Sequence, residues 1–427
     1  MDNERTNSMW LKKRDRGADL RAAVAGVFGS SPDLAIEALA TFSEDQWRKS
    51  YLWLDASGMA LYLIDRLVHL KKEHVLPVDV ATRLLTNRED NRARTEDLLC
   101  EMRSIHFGML EHGVRFAHLK GLSLCPEAVP HPELRCQLDL DFVVAAEDVL
   151  RAMRALEANG YRLHAVSGST WEFKTPVAGV PSIRDLYKPK PHRSAELHLV
   201  SWKGDAADAG HSLSRVEWRK IGGVEMPVLS GPDIFVGQAM HLLKHICGEF
   251  TRISWLLEFA RHMEARRNDL AFWKEVEAVS RGQKAKEISI GIACLLAEEI
   301  FQAEVPKVLR CWTVESLPRS YSLWVEEYGR RALMADFPGG KLFLLLAEAQ
   351  ALAGLAAEST LRKRLVPFRL PPSITVPRAN RSLTDSIRSC RTQMSFVLFR
   401  ARFHLLEGLR CALELPRWQK KLREISH

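Results

Sequence analysis

No stretch of this sequence is long and apolar enough to suggest a membrane span. The longest nearly apolar run, Leu342 to Ala357, is too short for a spanning helix and is interrupted by Glu348 and Gln350. The N-terminus, Met-Asp-Asn-Glu-Arg, has no apolar core of the kind a secretory signal requires, so no signal peptide is expected. None of the eight cysteines (Cys100, Cys125, Cys136, Cys247, Cys294, Cys311, Cys390 and Cys411) forms a Cys-x-x-Cys pair, which argues against a zinc ribbon. Their scatter through apolar segments reads as buried free thiols in a reducing compartment, so a cytoplasmic protein is expected. There is no internal repeat. The 24 glycines and 19 prolines are close to average usage, so nothing collagenous or low-complexity dominates.

What is present is ordinary globular material. Hydrophobic residues make up 46% of the 427 residues and charged residues 27%, enough for a real core and for two or three domains. The net charge of +8 is unevenly placed. The segment from Leu361 onward holds 15 basic and 4 acidic side chains, whereas the residues before it hold 46 and 49. The basic character therefore belongs to the C-terminal region, where it suits an anionic partner or forms the solvated face of a packed helix.

The pattern of apolar residues changes along the chain. Residues 1–112 read as a helical N-terminal region, with Leu98, Met102, Ile105 and Met109 on one helical face and Gly113 as a stop. Residues 113–205 read as an α/β core. Its expected strands are Val114–Leu119, Gln137–Val144, Tyr161–Val166, Thr170–Thr175 and Ala195–Ser201, with a helix from about Ala146 to Ala158. Residues 206–366 read as helical again, with a helix start at Ser230-Gly-Pro-Asp233 and helical period to about Glu358. Pro367, Pro371, Pro372 and Pro377 mark a linker over 367–390. Residues 391–427 then read as a basic amphipathic helix, with Met394, Leu398, Ala401, Leu405 and Leu409 as its inner face.

The chemistry concentrates in two runs, His118-Leu-Lys-Gly121 and Arg135-Cys-Gln-Leu-Asp139-Leu-Asp141-Phe-Val-Val144. Side chains alternate along a strand, so Asp139 and Asp141 project from one face. Carboxylates that close repel each other, and a hard divalent ion such as Mg²⁺ offsets the repulsion while also accepting substrate phosphates. The turn after the first strand offers Lys120, Gly121 and Ser123 to an anion. Glu196, within the strand pattern Ala-Glu-Leu-His, supplies a third acid, and His198 shares its face.

In this order and spacing the motifs resemble the DNA polymerase β-like nucleotidyltransferase superfamily. More closely, the chain resembles the bacterial family of uncharacterised nucleotidyltransferases, through Leu119-Lys120-Gly121, Arg135 to Asp141, Gly160-Tyr161 and Glu196-Leu-His198. A Lys-Gly turn stands where the superfamily has Gly-Gly or Gly-Ser. The resemblance implies a mixed sheet with flanking helices. It further implies transfer of a nucleoside monophosphate from a nucleoside triphosphate, with Mg²⁺ or Mn²⁺ on Asp139, Asp141 and Glu196, to a small-molecule, protein or RNA acceptor it does not name. Lys120, Gly121, Ser123 and Arg135 would bind the nucleotide.

Other readings stand beside these. Lys120 and Arg135 also suit ion pairing with the aspartates. His241 and His245 lie four apart on an expected helix, with Glu258 on the next; they are cleft residues, metal ligands or packing groups. The whole chain also suits a catalytically inactive nucleotide- or partner-binding module of the same fold, or an RNA-binding protein using its basic C-terminal region.

Overall fold

The computed structural model describes residues 16–176, 185–189, 193–200, 213–352, 365 and 383–425. The chain divides into two units, Met1–Leu243 with Arg252–Ser316, and Lys244–Thr251 with Leu317–His427.

The first unit opens with helices α1 (Arg16–Gly26), α2 (Pro32–Leu39), α3 (Glu44–Ala56), α4 (Met59–His69) and α5 (Val78–Glu111). Ser43 caps α3 with a reciprocal pair of bonds: its hydroxyl accepts from the Gln46 amide while the Gln46 side chain accepts from the Ser43 amide. Leu98, Met102, Ile105 and Met109 are buried on α5, and the chain leaves that helix through Gly113 at φ 62.

The sheet follows: β1 (Phe116–Leu119), β2 (Asp139–Ala145), helix α6 (Val149–Ala158), β3 (Arg162–Ser167), β4 (Thr170–Lys174), β5 (Ser194–Val200), β6 (Val216–Ile221) and β7 (Val224–Leu229). Its seven strands run in the order β3-β4-β5-β2-β1-β7-β6. The β2–β5 and β1–β7 pairs are parallel and the others antiparallel, so this is a mixed α/β sheet with flanking helices, as expected. The β6–β7 hairpin is new relative to the sequence reading, which has only helix beyond the core. It turns on Gly222 and Gly223, both at positive φ, the pairing a two-residue hairpin turn of the I′ type demands.

Alternation along β2 splits the core in two. Phe142 and Val144 pack with Leu98, Met102, Ile105 and Leu197 on one face. Val143 and Ala145 pack with Ala117, Leu119, Leu229 and Ile234 on the other. Helices α7 (Gly231–Ile246), α8 (Ile253–Ala265), α9 (Leu270–Ser280), α10 (Lys284–Phe301) and α11 (Lys307–Trp312) follow, the last turn of α7 belonging to the second unit.

The second unit contains α12 (Arg319–Trp324), which continues through a π-turn at Val325–Gly329 into α13 (Arg330–Leu333), then α14 (Phe343–Leu352) and α15 (Leu383–Ile425). Most of the expected linker, together with the helical pattern past residue 352, lies outside the described residues. Helix α15 starts earlier than expected, at Leu383, and its orientation corrects the sequence reading. Its buried side chains are Phe403, Cys411, Trp418 and Leu422, whereas Met394, Leu398, Leu405 and Leu409 are exposed. The helix carries two apolar arcs. Periodicity detects both but does not tell which one has a neighbour.

Candidate functional site

The site begins at the turn after β1. Lys120 (φ 55) and Gly121 (φ 50) both take left-handed backbone conformations, unusual for a lysine. The turn is held from several sides. Lys120 Nζ donates to Asp141 Oδ1 at 2.9 Å, and the Lys120 carbonyl accepts from both the amide and the hydroxyl of Ser123. Ser123 is thus a brace for the turn. A Cβ on Gly121 would lie 2.3 Å from Gln137 Nε2, so packing as well as φ requires glycine there. Gln137 in turn donates to the Asp139 carbonyl at 2.7 Å, and the buried Arg94 donates to the Gln137 carbonyl at 2.9 Å.

Strand register then assembles the acids. Asp141 on β2 pairs with Leu119 of β1 on one side and with Glu196 of β5 on the other. His198 pairs with Val143, one pleat further along the same face. His198 Nε2 lies 3.0 Å from Asp141 Oδ1 and 3.4 Å from Glu196 Oε2. Ligand atoms of Asp141, Glu196 and His198 all fall within 4.8 Å of one another; among the described residues this is the group that could hold a metal ion. Asp139 extends the same face by one pleat.

The electrostatics follow from burial and neighbours. Burial raises the Asp139 pKa, and the Asp141 charge raises it further, against the pull of Lys120 and Arg135. For Asp141 burial also acts upward, but the bonds from His198 and Lys120 outweigh it and the net shift is down. The bond from His198 lowers Glu196 as well. Burial works against a charged His198, yet its two carboxylate partners prevail and its pKa is raised. The repulsion foreseen between the aspartates is therefore offset at Asp141 by positive or proton-donating groups of the chain itself, and persists at Asp139, whose pKa stays raised.

Arg135 and Glu258 meet in the structure. Arg135 Nε donates to Glu258 Oε2 at 3.3 Å, and the Tyr62 hydroxyl donates to Glu258 Oε1 at 3.0 Å. Arg135 also bears electrostatically on Asp139. Glu258 thus anchors the Arg135 side chain. His241 packs edge-on against Trp255, and His245 belongs to the second unit. Sequence reasoning missed Tyr62, Arg94 and Gln137. Gln137 had a signal, since positions 137, 139 and 141 alternate onto one strand face. Tyr62 and Arg94 sit in long helical patterns that give no sign of it.

The comparisons with known proteins bear on this constellation. A family model described as uncharacterised nucleotidyltransferase matches residues 43–302, a span containing every site residue named above. Among solved structures, an antigenic nucleotidyltransferase-like protein from Paracoccidioides brasiliensis is similar at 9% identity, over 48% of this chain and 93% of that one, with a TM-score of 0.29. No curated protein matches the sequence.

Proposed function

The chain belongs to the uncharacterised nucleotidyltransferase family, and from that premise we propose that it transfers a nucleoside monophosphate from a nucleoside triphosphate to an acceptor. The observation that carries the reading is the register that sets Asp141 opposite Glu196, with Asp139 one pleat away and Lys120 and Arg135 alongside. An acceptor oxygen attacks the α-phosphorus, the bond to the β,γ-diphosphate breaks, and pyrophosphate leaves with its electron pair.

The donor set fits a divalent cation. Two carboxylates, Asp141 and Glu196, converge with His198 from adjacent strands, and a lysine ammonium already takes up one Asp141 oxygen. Asp139, Asp141 and Glu196 would hold Mg²⁺ or Mn²⁺, which when bound neutralises triphosphate charge and stabilises the charge that builds on the α-phosphoryl oxygens. His198 orients Asp141 and Glu196 through its hydrogen bonds, as outer partners of metal-binding carboxylates do. Lys120 and Arg135 add positive charge for the departing pyrophosphate, Arg135 held in place by Glu258 and Tyr62. One carboxylate accepts the acceptor's proton. Gly121 and Ser123 shape the turn that carries Lys120.

The test uses α-labelled nucleoside triphosphates with Mg²⁺ or Mn²⁺ and pools of small-molecule, protein and RNA acceptors. Wild type is expected to release pyrophosphate and pass the label to one pool; Asp141→Asn and Glu196→Gln are expected to do neither. A second reading, an inactive nucleotide-binding module, is favoured by the Lys120 ammonium on Asp141, which can replace a cation permanently. Tight triphosphate binding without pyrophosphate release from any pool would select that reading.

A further inference from the structure

Helix α15 carries a second apolar arc that the second unit does not use. Ile387, Met394, Leu398, Leu405 and Leu409 are exposed by 68, 56, 63, 71 and 57%. They are spaced seven, four, seven and four residues apart. At 100° per residue these positions stay within an arc of about 60°, so they form a straight line along the helix. The opposite arc, with Phe403, Cys411, Trp418 and Leu422, is buried in its own unit. That arc is also tied down by ion pairs from Arg400 to Glu249 and from Arg331 to Glu414.

Charge runs beside the exposed line. Arg391 and Arg402, eleven residues apart, run along one edge of it, and Arg388 lies a little further round on the same side. All three are exposed and have no acidic partner among the described residues. Between Ser386 and Leu413 the sequence holds one acid, Glu407, and that acid is turned away and bonded to Arg410. The exposed side of the helix is therefore aliphatic along its centre and purely basic at its margin.

We infer that this face of α15 is a docking surface for an anionic lipid bilayer, on which the helix lies flat with its aliphatic line in the acyl region and its arginines at the headgroups. Three features select that partner. A flat surface suits a line that does not wind around the helix. Lipid phosphates match the exposed arginines, whose long stems let the charge reach the headgroup level. No helix of the described residues is long and apolar enough to cross a membrane, so the mode is surface contact. A second copy fits less well, because it would set arginine margins against each other without acids to pair them. A nucleic acid has no use for an aliphatic line with little aromatic surface. The inference is independent of the chemistry at Asp139, Asp141 and Glu196.

The experiment is flotation of the full-length protein with phosphatidylcholine vesicles, with and without phosphatidylglycerol. Wild type should float only with the anionic vesicles, and high salt should reduce the bound fraction. The double variant Leu398→Glu/Leu405→Glu should bind roughly tenfold more weakly or worse. Arg391→Gln/Arg402→Gln should lose the preference for anionic lipid while remaining folded, which guards against a leucine variant that misfolds. Circular dichroism melts of both should match wild type, since all four positions are exposed. The inference is overturned by absent vesicle binding, by equal binding to neutral vesicles, or by binding unchanged in folded variants of both kinds. It is also overturned by a wild-type dimer that the leucine variant dissolves without any vesicle binding, or by RNA binding in place of lipid binding.

Discussion

Lys120 holds a positive-φ backbone conformation that costs a non-glycine residue about 1–3 kcal/mol, and it does so beside the acidic cluster. The strain puts its ammonium on Asp141, where a bound cation would compete with it. Two expectations follow at this scale and are read in one set of titrations. Mn²⁺ should raise the melting temperature of wild type by binding the native state alone, and Asp141→Asn should abolish that rise. Without nucleotide, Lys120→Ala should bind Mn²⁺ about tenfold more tightly, because a competing positive charge has gone. Calorimetry that finds equal Mn²⁺ affinity in Lys120→Ala and wild type would show the ammonium to be no competitor. A melting response surviving in Asp141→Asn would remove that carboxylate from the site.

The joint between β1, β2 and α6 depends on one acid. Asp148, just ahead of α6, is 1% exposed and accepts from the Arg115 amide at 2.9 Å and from Arg115 Nε at 2.7 Å, with Arg151 on its other oxygen. Burial alone would raise its pKa, but the arginine bonds dominate and hold it down to about 2. The folded value lies below the unfolded one of about 3.9. The stabilisation is therefore complete above pH 4, roughly, and is lost as the pH falls toward about 2. Asp148→Asn should cost about 1–3 kcal/mol at neutral pH and should flatten the acid limb of a stability-versus-pH curve; parallel limbs would refute this. Legibility at this scale was uneven for physical reasons. Strand β2 is legible because Leu140 and Phe142 alternate with Asp139 and Asp141, and the Glu196 strand is legible in the same way. The β6–β7 hairpin is hard to read although Gly222-Gly223 marks its turn, because Arg219, Lys220 and Glu225 break up the apolar pattern on either side. The apolar stripe on α15 is legible but its burial is not, since the amphipathic period of one helix says nothing about where its neighbour lies. Tyr62 and Glu258 could not be joined from the sequence at all, because only the folded chain brings α4 beside α8.

In the molecule as a whole, the second unit depends on its last helix. Trp418 is fully buried and meets Tyr328 edge-on at 5.6 Å between ring centres. Trp418→Ala should destabilise that unit by about 3–5 kcal/mol in urea denaturation followed by circular dichroism; a change under about 1 kcal/mol would mean that the helix is not packed there. The first unit raises a question of timing. Strand β1 can pair with β2 early, across a short connection, but its other neighbour is β7, and the contact of His118 with Val228 closes a loop of more than a hundred residues. Such closure carries a large entropic cost before any pairing energy returns, and sheets of high contact order fold slowly for that reason. During synthesis, β2 and β5 can line up their acids while β1 still has one bare edge. That edge stays open until Leu229 has left the ribosome. The turn bearing Lys120 sits at the end of this half-paired strand, so the acidic cluster acquires its lysine securely only when the last strand docks. A nascent chain arrested before β7 would therefore present a sticky edge and an unfinished site together, and it would be the natural substrate of chaperones that shield exposed strands.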